Sequence, residues 1–188
     1  MILYIHGFGS SGQGSKASAL RTLLKDQNFI APSLSIVPDL AISTLCELIE
    51  AFSKYDKVYL IGSSLGGYYC LYLSEKYNIP AVLINPAIHP YNTLEKALGQ
   101  VPNYYDLSSF EWRETHLKIL KNFEVQHPNP SNYLLLLQKG DEVLDYTEVL
   151  AKLPDAQQIV EEGGNHSFIG IERYVETIKD FFRTGSIA

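Results

Sequence analysis

Val58-Tyr59-Leu60-Ile61-Gly62-Ser63-Ser64-Leu65-Gly66-Gly67-Tyr68-Tyr69-Cys70-Leu71-Tyr72-Leu73 is the stretch on which the reading of this chain turns. Its first four residues are branched or aromatic and suit a buried strand, and its last nine read as a helix. Between them lies G-x-S-x-G, spanning Gly62 to Gly66. A strand that enters a helix through so tight a turn lifts the central serine above the end of a sheet, in a strained backbone that requires small neighbours. Ser64 is therefore the candidate nucleophile. The helix N-terminus behind it favours a developing negative charge, and the Leu65 N–H is the nearest donor for an oxyanion. A glycine-rich turn with a capping serine is the plainer reading of the same residues.

Outward from this segment, short apolar runs alternate with stretches of helical period, the pattern of parallel strands joined by crossover helices. Strands are predicted at Ile2 to Ile5, Phe29 to Leu34, Val58 to Ile61, Ala81 to Ile84, Tyr133 to Gln138 and Gln157 to Val160. Helices are predicted at Lys16 to Asp26, Ile42 to Lys54, Leu65 to Tyr77, Tyr146 to Leu153 and Gly170 to Phe182. The first and third strands should be neighbours in the sheet. With 188 residues, 46% of them hydrophobic, the chain has the length and core of one domain. Residues 86–131 are too long for a plain connection and are expected to form a partly helical cap inserted after the fourth strand.

A serine hydroxyl needs a base, and the base needs an orienting acid. Gly163-Gly164-Asn165-His166-Ser167-Phe168 follows the last strand, which puts His166 in a loop at the sheet's carboxyl edge. Asp141, in Lys139-Gly140-Asp141-Glu142, follows the fifth strand and falls between serine and histidine in sequence. That chain order belongs to strand-turn-helix serine hydrolases. Glu142 and Asp145 compete for the acid's role, but Asp145 is better placed to cap the helix opening near Tyr146. The second oxyanion donor should come from the loop after the first strand, His6-Gly7-Phe8-Gly9, and Phe8 N–H is the choice. His6 is read as ordering that loop, and His89, His116 and His127 as surface residues. In the cap, Tyr91, Tyr104, Tyr105, Phe110 and Trp112 are candidate substrate contacts, or else the cap's own core.

Gly7-Phe-Gly-Ser-Ser-Gly12 also fits the dinucleotide fingerprint, but Pro32-Ser33-Leu34-Ser35 offers no acid for a ribose. No cofactor and no metal are expected, since metal-ligand spacing is lacking. The net charge of -6 comes without a basic block, which argues against nucleic acid. The apolar runs are too short for a bilayer and the N-terminus lacks signal-peptide features, so a cytoplasmic, membrane-free location is expected. Cys46 and Cys70 are read as buried thiols.

Taken together, Tyr4-Ile-His-Gly-Phe8, Gly62-Ser-Ser-Leu-Gly-Gly-Tyr-Tyr69, Asn85-Pro-Ala87, Gly140-Asp-Glu-Val-Leu-Asp-Tyr146 and Glu162-Gly-Gly-Asn-His-Ser-Phe168 resemble the YqiA-type esterases, small bacterial α/β-hydrolases, nearly end to end. The resemblance implies an α/β-hydrolase fold, here with a trimmed, mostly parallel sheet of about six strands, helices on both faces and a small cap. It also implies hydrolysis of short acyl esters, with acyl-CoA thioesters as a further substrate, and gives catalytic roles to Ser64, Asp141 and His166. The chain departs from the family pattern at Lys139, where threonine is expected, and through much of residues 91–132, which leaves the acyl preference open. A ligand-binding or receptor protein that keeps the triad with little turnover is the alternative.

Overall fold

The computed structural model describes residues 1–187. Six strands form one parallel sheet: β1 (Ile2–Ile5), β2 (Phe29–Ile30), β3 (Tyr59–Ser64), β4 (Ala81–Pro86), β7 (Tyr133–Gln138) and β8 (Gln157–Glu161). Their order is β2-β1-β3-β4-β7-β8, with β1 and β3 paired as expected and Ile2 opposite Tyr59. Two further strands, β5 (Gly99–Pro102) and β6 (Ser109–Trp112), pair antiparallel as a separate hairpin.

Side chains on a strand alternate between faces, and β1 shows what each face buries. Leu3 and Ile5 join a core built from α2 (Pro38–Phe52), α3 (Leu65–Tyr77), α5 (Glu114–Lys121) and α6 (Tyr146–Lys152). Ile2 and Tyr4 join the opposite core, beneath α1 (Ser15–Leu23) and α7 (Val175–Thr184). Both faces of the sheet are thus covered, which is why β4 and β7 read as unbroken apolar runs. On α7, Ile178, Phe181 and Phe182 point into the core, each contributing roughly 1.5–3 kcal/mol by burial.

Four expectations are corrected. The second strand stops at Ile30 instead of Leu34, because Pro32 has no N–H for the ladder and the Leu34 N–H is taken by His6 Nε2 at 3.0 Å. The second helix begins at Pro38, four residues before Ile42, because proline is preorganised for the first helical position. The last helix is preceded by a 3-10 turn, Ile171–Tyr174, after Gly170 at φ 82°. Cys46 is only half-buried, with Lys76 Nζ 3.3 Å from its Sγ, whereas Cys70 is buried.

After β4 the chain forms a short helix, α4 (Pro90–Thr93), a 3-10 turn, the β5–β6 hairpin and α5. The hairpin was not legible as strands: its pairing residues include Gly99, Pro102 and Ser109, weak strand formers held by their own turn. It reaches the loop after β1, where Tyr104 N–H donates to Gly9 O at 2.7 Å and the Phe8 ring sits edge-on to Phe110 and Trp112.

Candidate active site

The turn between β3 and α3 is as strained as its sequence demands. Ser64 has φ 56° and ψ -123°, a conformation an L-residue keeps only when its surroundings enforce it. The enforcement is close packing: a Cβ on Gly66 would stand 2.0 Å from Ile5 O, so only glycine lets α3 approach β1 at this point. The β3–β4 register shifts between Ser63 and Ser64, and the Ser64 carbonyl accepts from Ala87 N–H at 3.0 Å, which fixes the turn to β4.

Ser64 Oγ lies 3.1 Å from His166 Nε2. On its other side the imidazole Nδ1 is 3.0 Å and 2.9 Å from the two Asp141 carboxylate oxygens. A carboxylate there requires the proton on Nδ1 and leaves Nε2 free to accept from the serine. Asp141 is 3% exposed by its side chain. Burial pushes its carboxyl up, yet the His166 ring and the amides of Leu144 and Val143 outweigh that and hold it below its ordinary value. Those amides donate to Oδ1 at 2.9 Å and 2.8 Å. The two rival acids are occupied elsewhere. Glu142 accepts from the His166 main-chain N–H at 3.0 Å, and Asp145 caps α6 by accepting from Thr147 N–H at 2.8 Å.

Two residues that sequence reading passed over hold the histidine loop. Gln138, 2% exposed at the end of β7, accepts through Oε1 from Asn165 N–H (3.1 Å) and Ile169 N–H (2.9 Å). Its Nε2 donates to Glu161 Oε2 and Ile169 O, both at 2.7 Å. Asn85, at φ 39° near the end of β4, accepts from Gln138 N–H at 2.9 Å and donates to Asn165 O at 2.9 Å. The signal available in the sequence was a lone amide at the end of each apolar strand, where a buried polar side chain needs partners. The acid and base loops also touch main chain to main chain, Gly140 N–H to Gly163 O at 2.7 Å.

Behind the elbow, Lys16 Nζ donates to Ser63 Oγ at 2.5 Å, and burial lowers its pKa to about 8, partly offset by the Asp141 charge. His6 is buried with Nδ1 2.9 Å from Gly7 O and Nε2 accepting from Leu34 N–H, so one neutral tautomer ties two loops together. This is the loop-ordering role read from the sequence. Among the described residues, neither Phe8 N–H nor Leu65 N–H finds an acceptor. Beside these amides is a cavity of about 40 Å³ whose walls include Gly7, Phe8, Leu34, Ile36, Leu65 and Tyr69.

The five cap aromatics are not brought together. Trp112 is 1% exposed and packed on Phe8 and His116, so it serves the cap's core and cannot touch a ligand. Tyr104 and Tyr105 stand 68% and 54% exposed near the hairpin tip, Phe110 packs edge-on to Phe8, and Tyr91 Oη lies 2.9 Å from His89 Nδ1. None of the five lines the cavity; the cap contributes Asn103 instead. A segment this short has to bury its own aromatics to hold its shape. His116 likewise is buried and not at the surface, its Nδ1 accepting from Arg113 N–H at 3.2 Å to close the first turn of α5. Among the described residues there is no group of three or more side chains suited to hold a metal, and no helix is long and apolar enough to cross a membrane.

A mostly parallel sheet with a strained serine at the β3–α3 turn, and acid and histidine loops beyond β7 and β8, defines the α/β-hydrolase fold. Solved structures share it: α/β hydrolase domain-containing protein 10 from mouse superposes with a TM-score of 0.77 at 20% identity, covering 98% of this chain and 90% of that one. Est1E from Butyrivibrio proteoclasticus, in a structure with ferulic acid bound, gives 0.74 at 14% identity, covering 97% and 87%. By sequence the chain belongs to the uncharacterised protein family UPF0227, whose profile it matches over residues 1–183. A UPF0227 protein of Vibrio parahaemolyticus is 27% identical over 189 residues, covering 98% of this chain and all (100%) of the relative. YcfP of Escherichia coli O9:H4 is 25% identical over 195 residues, with coverage of 98% and 100%.

Proposed function

We propose that this protein is a serine hydrolase of carboxylic esters, acting through an acyl-enzyme on Ser64. The observation that carries the reading is the unbroken hydrogen-bond chain from Ser64 Oγ through His166 to the shielded Asp141 carboxylate. In the first half-reaction Ser64 Oγ attacks the ester carbonyl while His166 Nε2 takes its proton. The charge that forms on the carbonyl oxygen is stabilised by the unoccupied amides of Phe8 and Leu65 and by the N-terminal end of α3. Collapse of the tetrahedral species expels the alcohol, which receives the proton from His166. Water, deprotonated by the same nitrogen, then releases the acid and restores the serine. Asp141 holds the Nδ1–H tautomer throughout and stabilises the imidazolium, and it keeps its own charge because the Val143 and Leu144 amides favour the carboxylate.

The lysines beside the site are engaged, Lys16 with Ser63 and Lys139 with Glu162, which favours a neutral ester over a polyanionic thioester. The test is labelling with a fluorophosphonate, followed by peptide mapping and turnover of p-nitrophenyl acetate. Label confined to Ser64, repeated turnover, and a loss of about four orders of magnitude in Ser64→Ala are expected. Label on Ser63, or release of a single equivalent of nitrophenol without further cycles, refutes the reading.

A further inference from the structure

The cavity next to the elbow has a fixed relation to the nucleophile. A Cβ placed on Gly7 would lie 3.1 Å from Ser64 Cβ and 3.6 Å from its Oγ, so the Gly7 wall of the cavity is also in contact with the serine. The two amides without acceptors belong to Phe8 and Leu65, which line the same space. A carbonyl carbon bonded to Ser64 Oγ, with its oxygen on those amides, has two substituents left to place. The leaving alcohol must face His166 to receive its proton. The acyl chain is then directed away from the imidazole, along the Gly7 and Leu65 walls.

We propose that this cavity is the acyl subsite and that it accepts two- and three-carbon acyl groups, acetyl and propionyl. The inference rests on the ester-hydrolase reading and adds which substrates that site takes. Volume sets the limit. An apolar cavity of about 150 Å³ holds benzene, with its six carbons. On that scale the enclosed part of the present cavity, of about 40 Å³ and open to solvent beside Ile36, covers one or two carbons beyond the carbonyl. Leu34 and Ile36 give it an apolar wall, and Asn103 from the hairpin belongs to its lining. The loops that line it are joined, since His6 links Leu34 N–H to Gly7 O and Tyr104 N–H holds Gly9 O to the hairpin. Chain-length choice therefore belongs to the loop after β2, not to the cap aromatics.

The experiment compares kcat/KM for p-nitrophenyl acetate, propionate, butyrate and hexanoate in the full chain and in Leu34→Ala and Ile36→Ala. The wild-type protein should favour acetate and propionate over hexanoate by at least about tenfold, and each enlargement should raise the hexanoate-to-acetate ratio by about tenfold. Ile36 sits at the solvent-facing lip, so its variant remains informative if Leu34→Ala does not fold. A wild-type preference for hexanoate, or a ratio unchanged in every variant that folds, overturns the subsite. Fluorophosphonate labelling of the same proteins separates the two readings. Normal labelling with an unchanged ratio removes the subsite alone, and absent labelling together with absent turnover removes the ester hydrolase and the subsite with it.

Discussion

Replacing Gln138 by leucine keeps the side chain's bulk at the end of β7 while deleting four hydrogen bonds at once. The amides of Asn165 and Ile169 lose their acceptor at a part-buried site, and Glu161 and the Ile169 carbonyl lose a donor. Glu161 keeps Tyr174 and Arg173 as partners, so the damage concentrates on the two orphaned N–H groups. A fully buried orphan costs about 1–3 kcal/mol, and since water reaches these two in part a combined loss of about 2–4 kcal/mol is the expected result. For a chain of this size a urea m-value of about 2.5 kcal/mol/M converts that to a fall in midpoint of about 1–2 M. Asn165 immediately precedes His166, so the imidazole's approach to Ser64 should loosen as well. Misplacement by about 1 Å costs on the order of 100-fold in rate. Urea unfolding followed by circular dichroism, with kcat for p-nitrophenyl acetate on the same samples, measures both effects. A midpoint within about 0.3 M of wild type together with an unchanged kcat would refute the anchoring role.

Asp141→Asn should lower kcat by about 10,000-fold through the wrong histidine tautomer, whereas Asp145→Ala should keep most activity and lose about 1 kcal/mol from the α6 cap; the opposite ranking in steady-state assays reassigns the acid. Burial lowers the pKa of both His6 and His116 below the ordinary 6.5, so the unfolded chain binds protons that the folded one refuses. Stability should therefore be full above pH 6.5 and decline below it, by up to about 1.4 kcal/mol per pH unit for each ring, a window well above that of Asp141. Thermal melts from pH 7 to 5 that show no fall in Tm would contradict this. Gly66→Ala, which forces a methyl against Ile5 O, should leave little folded protein at 37 °C; a soluble, normally active variant would show that the α3–β1 approach is looser than described.

The placement of the candidate site's residues at strand ends was legible because it depends on punctuation that sequence displays directly. Gly62 and Gly66 around Ser64, Gly163 and Gly164 before His166, and Gly140 before Asp141 mark turns at strand ends, and apolar runs on either side say where those ends lie. What holds the loops was not legible in the same way. Gln138 and Asn85 are single amides whose partners, apart from the Glu161 carboxylate, are main-chain groups up to 81 residues away, contacts that leave no periodic trace. The cap stayed open between two readings for a related reason. Aromatic residues are needed both to line a pocket and to fill a small core, and only packing distinguishes the buried Trp112 from the exposed Tyr104. The cavity wall at Leu34 was hidden at the end of what read as a continuing strand, with Ile36 two residues beyond it, until His6 diverted the Leu34 amide.

Ser64 and the pair proposed to activate it hang from parts of the sheet that differ in how firmly they are held. β3 carries Ser64 with strands on both sides, whereas β8 pairs with β7 alone and is half-buried. The histidine follows β8, and the main-chain links from Lys139 to Glu161 and from Gly140 to Gly163 tie the acid's loop to the same border. Hydrogen exchange in proteins of this kind proceeds through partial openings that begin where pairing is one-sided. An opening of this border would part the imidazole from the serine and lift Phe168 from its core, while the elbow and α3 stayed closed. A folded but silent form one rung below global unfolding is then expected, and mild denaturant or heat should populate it first. Loss of reactivity at Ser64 becomes the early reporter of stress, ahead of any change in helical signal.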